Sequence, residues 1–265
     1  MIRKLVEKDR LKLLKYLYKE GSLNIFIIGD VEAFGFDKNF QTIYGEFDSN
    51  FNYISVLLFY NENSIFYSHK RIFNEEWIAI FKQHPLTIYL SGAESMLKKL
   101  ISFFPNFEVN PMYFSEAFKL NEEIEDTKYN IVKVSTKKHC GKLFDILYSI
   151  EEFGYQNKSK EEFIKDKLNS INMGSTYYIE ENGIVISTVA TTAETKVSAM
   201  VVAVATLESA RNRGLASILM KHLMNEYFNE KKKSLCLFYD NPKAGNIYKR
   251  LGFKDVDKWI VLKKE

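Results

Sequence analysis

Residues 200–223 form one unit that organises the chain. Met200 to Leu207 is an apolar run that reads as a strand, and Leu215, Leu219 and Leu223 recur at a spacing of four, the buried stripe of a helix. Between them lies a turn carrying Arg211, Asn212, Arg213, Gly214, Ala216 and Ser217. Two small residues, Gly214 and Ala216, bracket the start of the helix and let the backbone approach a ligand closely. The free N–H groups of that first turn, with the positive end of the helix dipole, suit a phosphate or pyrophosphate. Arg211 and Arg213 add positive charge beside it.

A second block lies downstream. Ser234 to Asp240 reads as a strand, and Asn241-Pro242-Lys243-Ala244-Gly245-Asn246-Ile247-Tyr248-Lys249-Arg250-Leu251-Gly252-Phe253 follows it. Arg211, Gly214 and Ala216 fit the (Gln/Arg)xxGx(Gly/Ala) acyl-CoA signature of the GNAT superfamily of N-acetyltransferases. Asn241, Ala244, Tyr248, Gly252 and Phe253 match the spacing of that family's second block, so the chain resembles the family at two blocks in the right order.

Composition bounds the rest. With 265 residues, 46% hydrophobic and 27% charged, the chain is globular and long enough for two domains of ordinary size. Its 37 basic and 34 acidic residues are too balanced for a general nucleic-acid binder, so no nucleic acid is expected as a partner, whereas an anionic cofactor needs only a few cations at one place. Cys140 and Cys236 are far apart and form no CxxC or Cys/His cluster, so neither a disulfide framework nor a metal site is expected, and a reduced, cytoplasmic setting is. Met1 to Val6 alternates charge with apolar residues, unlike a signal peptide, and no segment reaches the ~20 apolar residues of a membrane span.

In chain order, the first half reads as a strand at residues 2–6, a helix at 9–19, and a short helix and loop at 24–36. Strands follow at 42–47, 53–60 and 65–68, then a helix at 74–83, a strand at 86–90 and a helix at 93–104, with Ser91-Gly92 as the turn before it. Element order is GNAT-like but the phosphate signature is missing, so residues 1–125 are expected to form a degenerate GNAT-like domain without a cofactor of its own. A charged stretch, residues 121–128, reads as an exposed connector, and residues 126–265 as the catalytic domain. That second half reads as a strand at 130–135, a helix at 137–150 and a helix opened by a Ser159/Glu162 capping box. A meander at 177–180, 183–192 and 196–207 turns first at Glu181-Asn182-Gly183, and the helix after Gly214, a strand at 234–240, a helix at 243–250 and a strand at 259–262 complete it. The fold class expected is α+β: two GNAT-like domains, each a mixed, mostly antiparallel sheet flanked by helices, only the C-terminal one with the acyl-CoA signature. The tandem arrangement is similar to glycine N-acyltransferase-like members of the superfamily.

The resemblance implies a site. The strand ending at Leu207 would splay from the strand at 234–240, the backbone of Val204, Ala205 and Thr206 would pair with the pantetheine amides, and pyrophosphate would lie on the N–H groups from Arg211 through Asn212, Arg213, Gly214, Leu215 and Ala216 to Ser217. Direct phosphate contact by the Arg211 and Arg213 side chains stays open. Asn241 and Ala244 match cofactor-contacting positions, and Asn241 serves equally well as a helix cap before Pro242. Tyr248 matches the family's proton donor to the departing thiolate, a role its natural pKa near ~10 permits, although simple packing is the alternative. An N–H near Val204 would stabilise the oxyanion. No base is assigned: Met200 to Leu207 holds no carboxylate, and Glu208 and Glu194 read as turn residues. His222 reads as packed or half-exposed, His69, His84 and His139 as surface residues, and Lys231 to Lys233 as charge suited to a helix end, with a nucleotide phosphate as the lesser alternative.

The activity expected is transfer of an acyl group from acetyl-CoA, as cosubstrate and with no metal, to an amine of a small molecule, amino acid or peptide. The alternative is a CoA-binding sensor or scaffold without turnover. The acceptor pocket is expected near residues 151–157, with Phe153 and Tyr155 lining it, and a homodimer is compatible with the sequence.

Overall fold

The computed structural model describes residues 1–84, 87–103, 107–124 and 127–264. In chain order the elements are β1 (Ile2–Lys4), α1 (Arg10–Leu17), α2 (Ile25–Phe34), β2 (Gln41–Phe47), β3 (Tyr53–Tyr60), β4 (Asn63–Tyr67), α3 (Glu76–Lys82), β5 (Tyr89–Ala93), α4 (Glu94–Leu97) and β6 (Phe107–Ala117). They continue with β7 (Ile131–Lys133), α5 (Lys137–Tyr148), α6 (Lys160–Asn169), β8 (Thr176–Glu181), β9 (Ile184–Thr192), β10 (Ser198–Thr206), α7 (Leu215–Asn225), β11 (Ser234–Tyr239), α8 (Pro242–Leu251) and β12 (Lys254–Lys264). Two compact units emerge: Met1–Ser115 with Phe238–Pro242 and Asp255–Glu265, and Glu116–Leu237 with Lys243–Lys254. The domain boundary expected at residues 125 and 126 lies outside the described residues, as do residue 86 of one expected strand and residue 104 of one expected helix.

In the first unit, β1, β2, β3 and β4 pair antiparallel in sequence order, and β4 pairs parallel with β5 after the α3 crossover. Val56 to Phe59 are all buried, as expected of a central strand covered on both faces. The last strand of the chain completes this sheet: β12 pairs antiparallel with β5 from Trp259↔Ala93 to Lys263↔Tyr89. Ser91 and Gly92, read from the sequence as a turn, lie inside β5 instead. A methyl group on Gly92 would stand 2.8 Å from the Phe66 carbonyl oxygen, so glycine serves close backbone approach there. β6 matches no element read from the sequence, because Pro111 interrupts its run and speaks against a strand.

The second unit is built on β7, β8, β9 and β10, antiparallel in that order, with β11 added parallel to β10. Asn182 and Gly183 both take positive φ, 50° and 83°, the conformation of a two-residue hairpin turn whose twist matches the strands it joins. Helices α5 and α6 cover one face through Leu143, Ile146, Leu147 and Phe163, packed with Tyr178 and Ala205. The N-terminus of α6 is closed reciprocally: the Glu162 N–H donates to Ser159 Oγ (3.2 Å) and the Ser159 N–H to Glu162 Oε2 (2.9 Å). Leu215, Leu219 and Leu223 of α7 are buried as their spacing predicts.

Candidate active site

Strand β10 is interrupted where the sequence places the reaction. Its pairing with β9 runs from Met200↔Thr192 to Val202↔Ala190 and resumes at Ala205↔Thr188, so Ala203 and Val204 stand against a single residue. Ala203 has φ 52°, a left-handed conformation that costs an alanine roughly 1–2 kcal/mol. A bulge of this kind re-aims the N–H groups around it. On the other side, β10 and β11 share only three register pairs, Ser198↔Ser234 to Met200↔Cys236. Beyond Met200 the two strands share no register among the described residues, and Val202, Ala203 and Val204 are half-exposed in a strand otherwise largely buried. An open edge with amide groups displayed can hold an extended ligand as a strand would be held.

The turn after β10 leads from that edge to a helix tip. Asn212 (φ 63°) and Gly214 (φ 74°) both take left-handed conformations, and Gly214 forms the N-cap of α7 without a side-chain cap hydrogen bond. The first N–H of α7 to bond back is that of Ile218, to the Gly214 carbonyl at 3.0 Å, so the N–H groups of Leu215, Ala216 and Ser217 precede the helical ladder. A Cβ on Gly214 would meet nothing within 4 Å, which leaves the tip open to a ligand. Arg211 is exposed. Arg213 turns toward Glu181, donating to Oε2 at 3.0 Å and closer still to Oε1, and to the Tyr129 hydroxyl at 3.2 Å. This pair is partly exposed, so an arriving phosphate would displace little by taking the guanidinium. Arg250 of α8 was not singled out in the sequence, yet it donates to Ser217 Oγ at 2.8 Å and to Glu122 at 2.5 Å. Lys221 also holds Glu122, at 2.8 Å, so the segment read as an exposed connector is exposed at Asn121, Glu123 and Ile124 and is held by two cations at Glu122.

Asn241 is exposed and immediately precedes α8, with Pro242 in the first helical position, where a missing N–H costs nothing. Ala244, in the first turn, is half-buried. Tyr248 is buried, its ring 6.0 Å from that of Phe253, and burial pushes its hydroxyl up to about 12. Gly252 has φ 121°, and a methyl group there would stand 2.6 Å from the Lys119 carbonyl oxygen.

The other charged candidates are engaged elsewhere. Glu194 accepts from the Tyr227 hydroxyl (2.6 Å), Lys231 (3.1 Å) and Lys233 (2.7 Å), so two of the three consecutive lysines serve an internal ion pair. Glu226 is buried at the start of a π-helical turn, Glu226–Glu230, and accepts from Lys133 (2.8 Å), Ser175 (2.9 Å) and Tyr177 (2.9 Å). His222 packs edge-on against Tyr177 at 4.6 Å. His69 is exposed, as the sequence suggests, with its Nδ1 3.0 Å from Glu20, whereas His84 is half-buried and stacks on Phe59 at 3.8 Å. Cys140 and Cys236 are free, buried thiols.

Beside the bulge lies a cavity of about 400 Å³, bordered by Val202 and Thr191 from the sheet, by Gly174 from the bend before β8, and by Tyr155, Phe163 and Lys167 from the helical side. Tyr155 borders this cavity and Phe153 does not, and both pack against the apolar core. No helix among the described residues is long and apolar enough to cross a membrane.

Residues 141–253 match the model of the Acetyltransferase (GNAT) family, a stretch that contains both sequence blocks. The fold agrees over nearly the whole chain. A GCN5-related N-acetyltransferase from Sphaerobacter thermophilus superposes with a TM-score of 0.66 at 14% identity, covering 100% of this chain and 95% of that one. A GNAT-family acetyltransferase from Colwellia psychrerythraea gives 0.58 at 15% identity, covering 100% and 99%. A tandem GNAT protein from the clavulanic acid biosynthesis pathway gives 0.56 at 10% identity, covering 99% and 97%. Among curated proteins none matches. The architecture is thus a mixed α+β GNAT-like fold with a mostly antiparallel sheet flanked by helices, and the family match lies in the C-terminal part alone.

Proposed function

We propose that this protein is an N-acyltransferase that moves the acyl group of acetyl-CoA to the amine of a small molecule, amino acid or peptide, with residues 1–125 acting as a degenerate GNAT-like half that carries no cofactor. One observation supports this reading above the others. The bulged stretch Val202–Thr206, which shares no register with β11 among the described residues, leads through the turn at residues 207–214 to a helix tip whose first N–H groups precede its hydrogen-bond ladder. An extended amide-bearing arm ending in a diphosphate fits that sequence of edge and tip, and coenzyme A is such a molecule. In this reading the backbone of Val204, Ala205 and Thr206 holds the pantetheine, and the N–H groups from Arg211 to Ser217 hold the diphosphate. Asn241 and Ala244 contribute from the second block.

Acyl transfer needs a neutral amine, a donor to the oxyanion and a proton for the leaving thiolate. The re-aimed N–H beside Ala203 supplies the second. Tyr248 supplies the third, since a hydroxyl raised to about 12 stays protonated throughout the neutral range and is available to give its proton up. The amine's own proton leaves by water.

Calorimetric titration with CoA, followed by a CoA-release assay over a panel of amines, tests the reading. Binding in the micromolar range with turnover is the expected result, and Tyr248→Phe is expected to lower kcat roughly 10²–10⁴-fold while CoA binding is kept. Binding without turnover on any amine, with Tyr248→Phe indistinguishable from the parent, would favour a sensor instead. A protein that binds no CoA refutes both.

A further inference from the structure

The cavity beside the bulge holds an unbalanced charge. Of the ionisable side chains that border it, Lys158 and Asp166 answer each other at 2.6 Å. Lys167 has no hydrogen-bond or ion-pair partner among the described residues. Lys167 is half-buried on α6 near the Cys140 thiol, which burial pushes up, and burial pulls the Lys167 ammonium below the ordinary lysine range. A cation removed from water and left without a counter-ion is unfavourable, and proteins rarely keep one unless something answers it. The remaining wall is uncharged and includes Tyr155, Phe163, Ser170, Thr191 and Val202, the last next to the bulged Ala203. A volume of about 400 Å³ is at the small end for a ligand site, enough for an amino acid and too small for a folded partner.

The geometry points to an acceptor that carries a carboxylate as well as its amine, the carboxylate held by Lys167 and the amine directed toward Val202 and the bulge. This deepens the acyltransferase reading and rests on it for the amine, whereas the carboxylate site stands on the cavity alone. Lys167 is then a specificity residue that selects an amino acid over its amide or a plain alkylamine. Only one charge is met, so a monocarboxylate is preferred over a dicarboxylate.

Two measurements test this, and they separate the failure of the site from the failure of the reaction. In the first, CoA release is followed for amines in pairs that differ only in the carboxylate: glycine and glycinamide, β-alanine and its amide, phenylalanine and its amide. At least one carboxylate is expected to exceed its amide by tenfold or more in kcat/KM. Lys167→Met is expected to bring that ratio near one through the acceptor KM, with KM for acetyl-CoA unchanged, and Lys167→Arg to retain part of the preference. Amides used as well as the acids, or a preference untouched by Lys167→Met, would overturn the assignment. In the second, the parent protein is labelled briefly with acetic anhydride and modification of Lys167 is read by peptide mass spectrometry, with 50-fold dilution of reagent as the timing control. N-acetylglycine or N-acetylphenylalanine is expected to slow labelling of Lys167 several-fold, and the matching amides are not. Equal labelling with acid and amide overturns the carboxylate site even if the enzyme proves active. Selective protection supports the site even if no turnover is found.

Discussion

Two glycines, one in each sequence block, are predicted to respond to the same substitution in opposite ways. Gly214→Ala places a methyl group in open space, so its cost is conformational: a left-handed φ of 74° is worth roughly 1–2 kcal/mol against alanine. For a chain of this size each kcal/mol lowers Tm by about 2–4 °C, so the variant stays folded and melts a few degrees early. Gly252→Ala meets two penalties. Its φ of 121° lies where glycine stands almost alone, at about 1–3 kcal/mol, and its methyl group would sit 2.6 Å from the Lys119 carbonyl oxygen. That oxygen is backbone and must move by most of an ångström, which adds an overpacking cost of about 1–3 kcal/mol. The sum reaches a large part of a typical stability of about 5–15 kcal/mol. Thermal melts therefore should rank parent, Gly214→Ala, Gly252→Ala, with the last expected to be poorly soluble. Titration with CoA should reverse the emphasis, because the methyl group on Gly214 occupies the space a diphosphate needs. A well-folded Gly214→Ala that binds CoA as tightly as the parent would refute the proposed helix-tip site, and a Gly252→Ala as stable as Gly214→Ala would refute the steric argument.

Three further outcomes are expected. Burial raises the Glu20 carboxyl, but hydrogen bonds from Arg71, His69 and Tyr67 outweigh it and bring it down to about 2. A lowered carboxylate contributes stability above its unfolded pKa and loses it as pH falls through the folded one, so Glu20→Gln should cost up to about 3 kcal/mol at pH 7 and almost nothing at pH 2, read from urea melts at both. Trp259→Ala removes a buried ring packed among Phe26, Phe114 and Phe238, and should destabilise the first unit by about 3–5 kcal/mol although only six residues follow it in the sequence. A Tm equal to that of the parent would contradict its place in that core. Arg250→Gln should weaken CoA binding several-fold and flatten its salt dependence with little change in Tm, because its side chain is about half exposed; unchanged CoA affinity would remove Arg250 from the phosphate site.

What was legible in the sequence divides along physical lines. The helix after Gly214, the capping box at Ser159 and the turn at Asn182-Gly183 were readable because each is fixed by residues adjacent in the chain. The bulge was not, since Ala203 gives no sign that it will take a positive φ; the strain is imposed by the sheet around it. β6 was hidden by Pro111, and the partner of β12 could not be read at all, because pairing with β5 joins positions more than 160 residues apart. Gly92 misled for a related reason: a glycine that admits a neighbouring backbone looks the same in sequence as one that makes a turn.

The same division explains why the sequence suggests an acyl donor and is silent on the acceptor. A diphosphate is met by main-chain N–H groups, so the sequence must preserve the small residues that shape that backbone, and these leave a readable signature at Gly214 and Ala216. The proposed acceptor site is instead built by residues from separate elements, Tyr155, Lys167 and Val202, and no spacing rule connects positions on a loop, a helix and a strand. Lys167 in particular sits in a helix rich in lysine and glutamate, where one more lysine reads as a solvated face. Burial without a counter-ion among the described residues, a fact about three-dimensional surroundings, sets it apart from Lys158 and Lys160, which have one, and from Lys165, which is exposed.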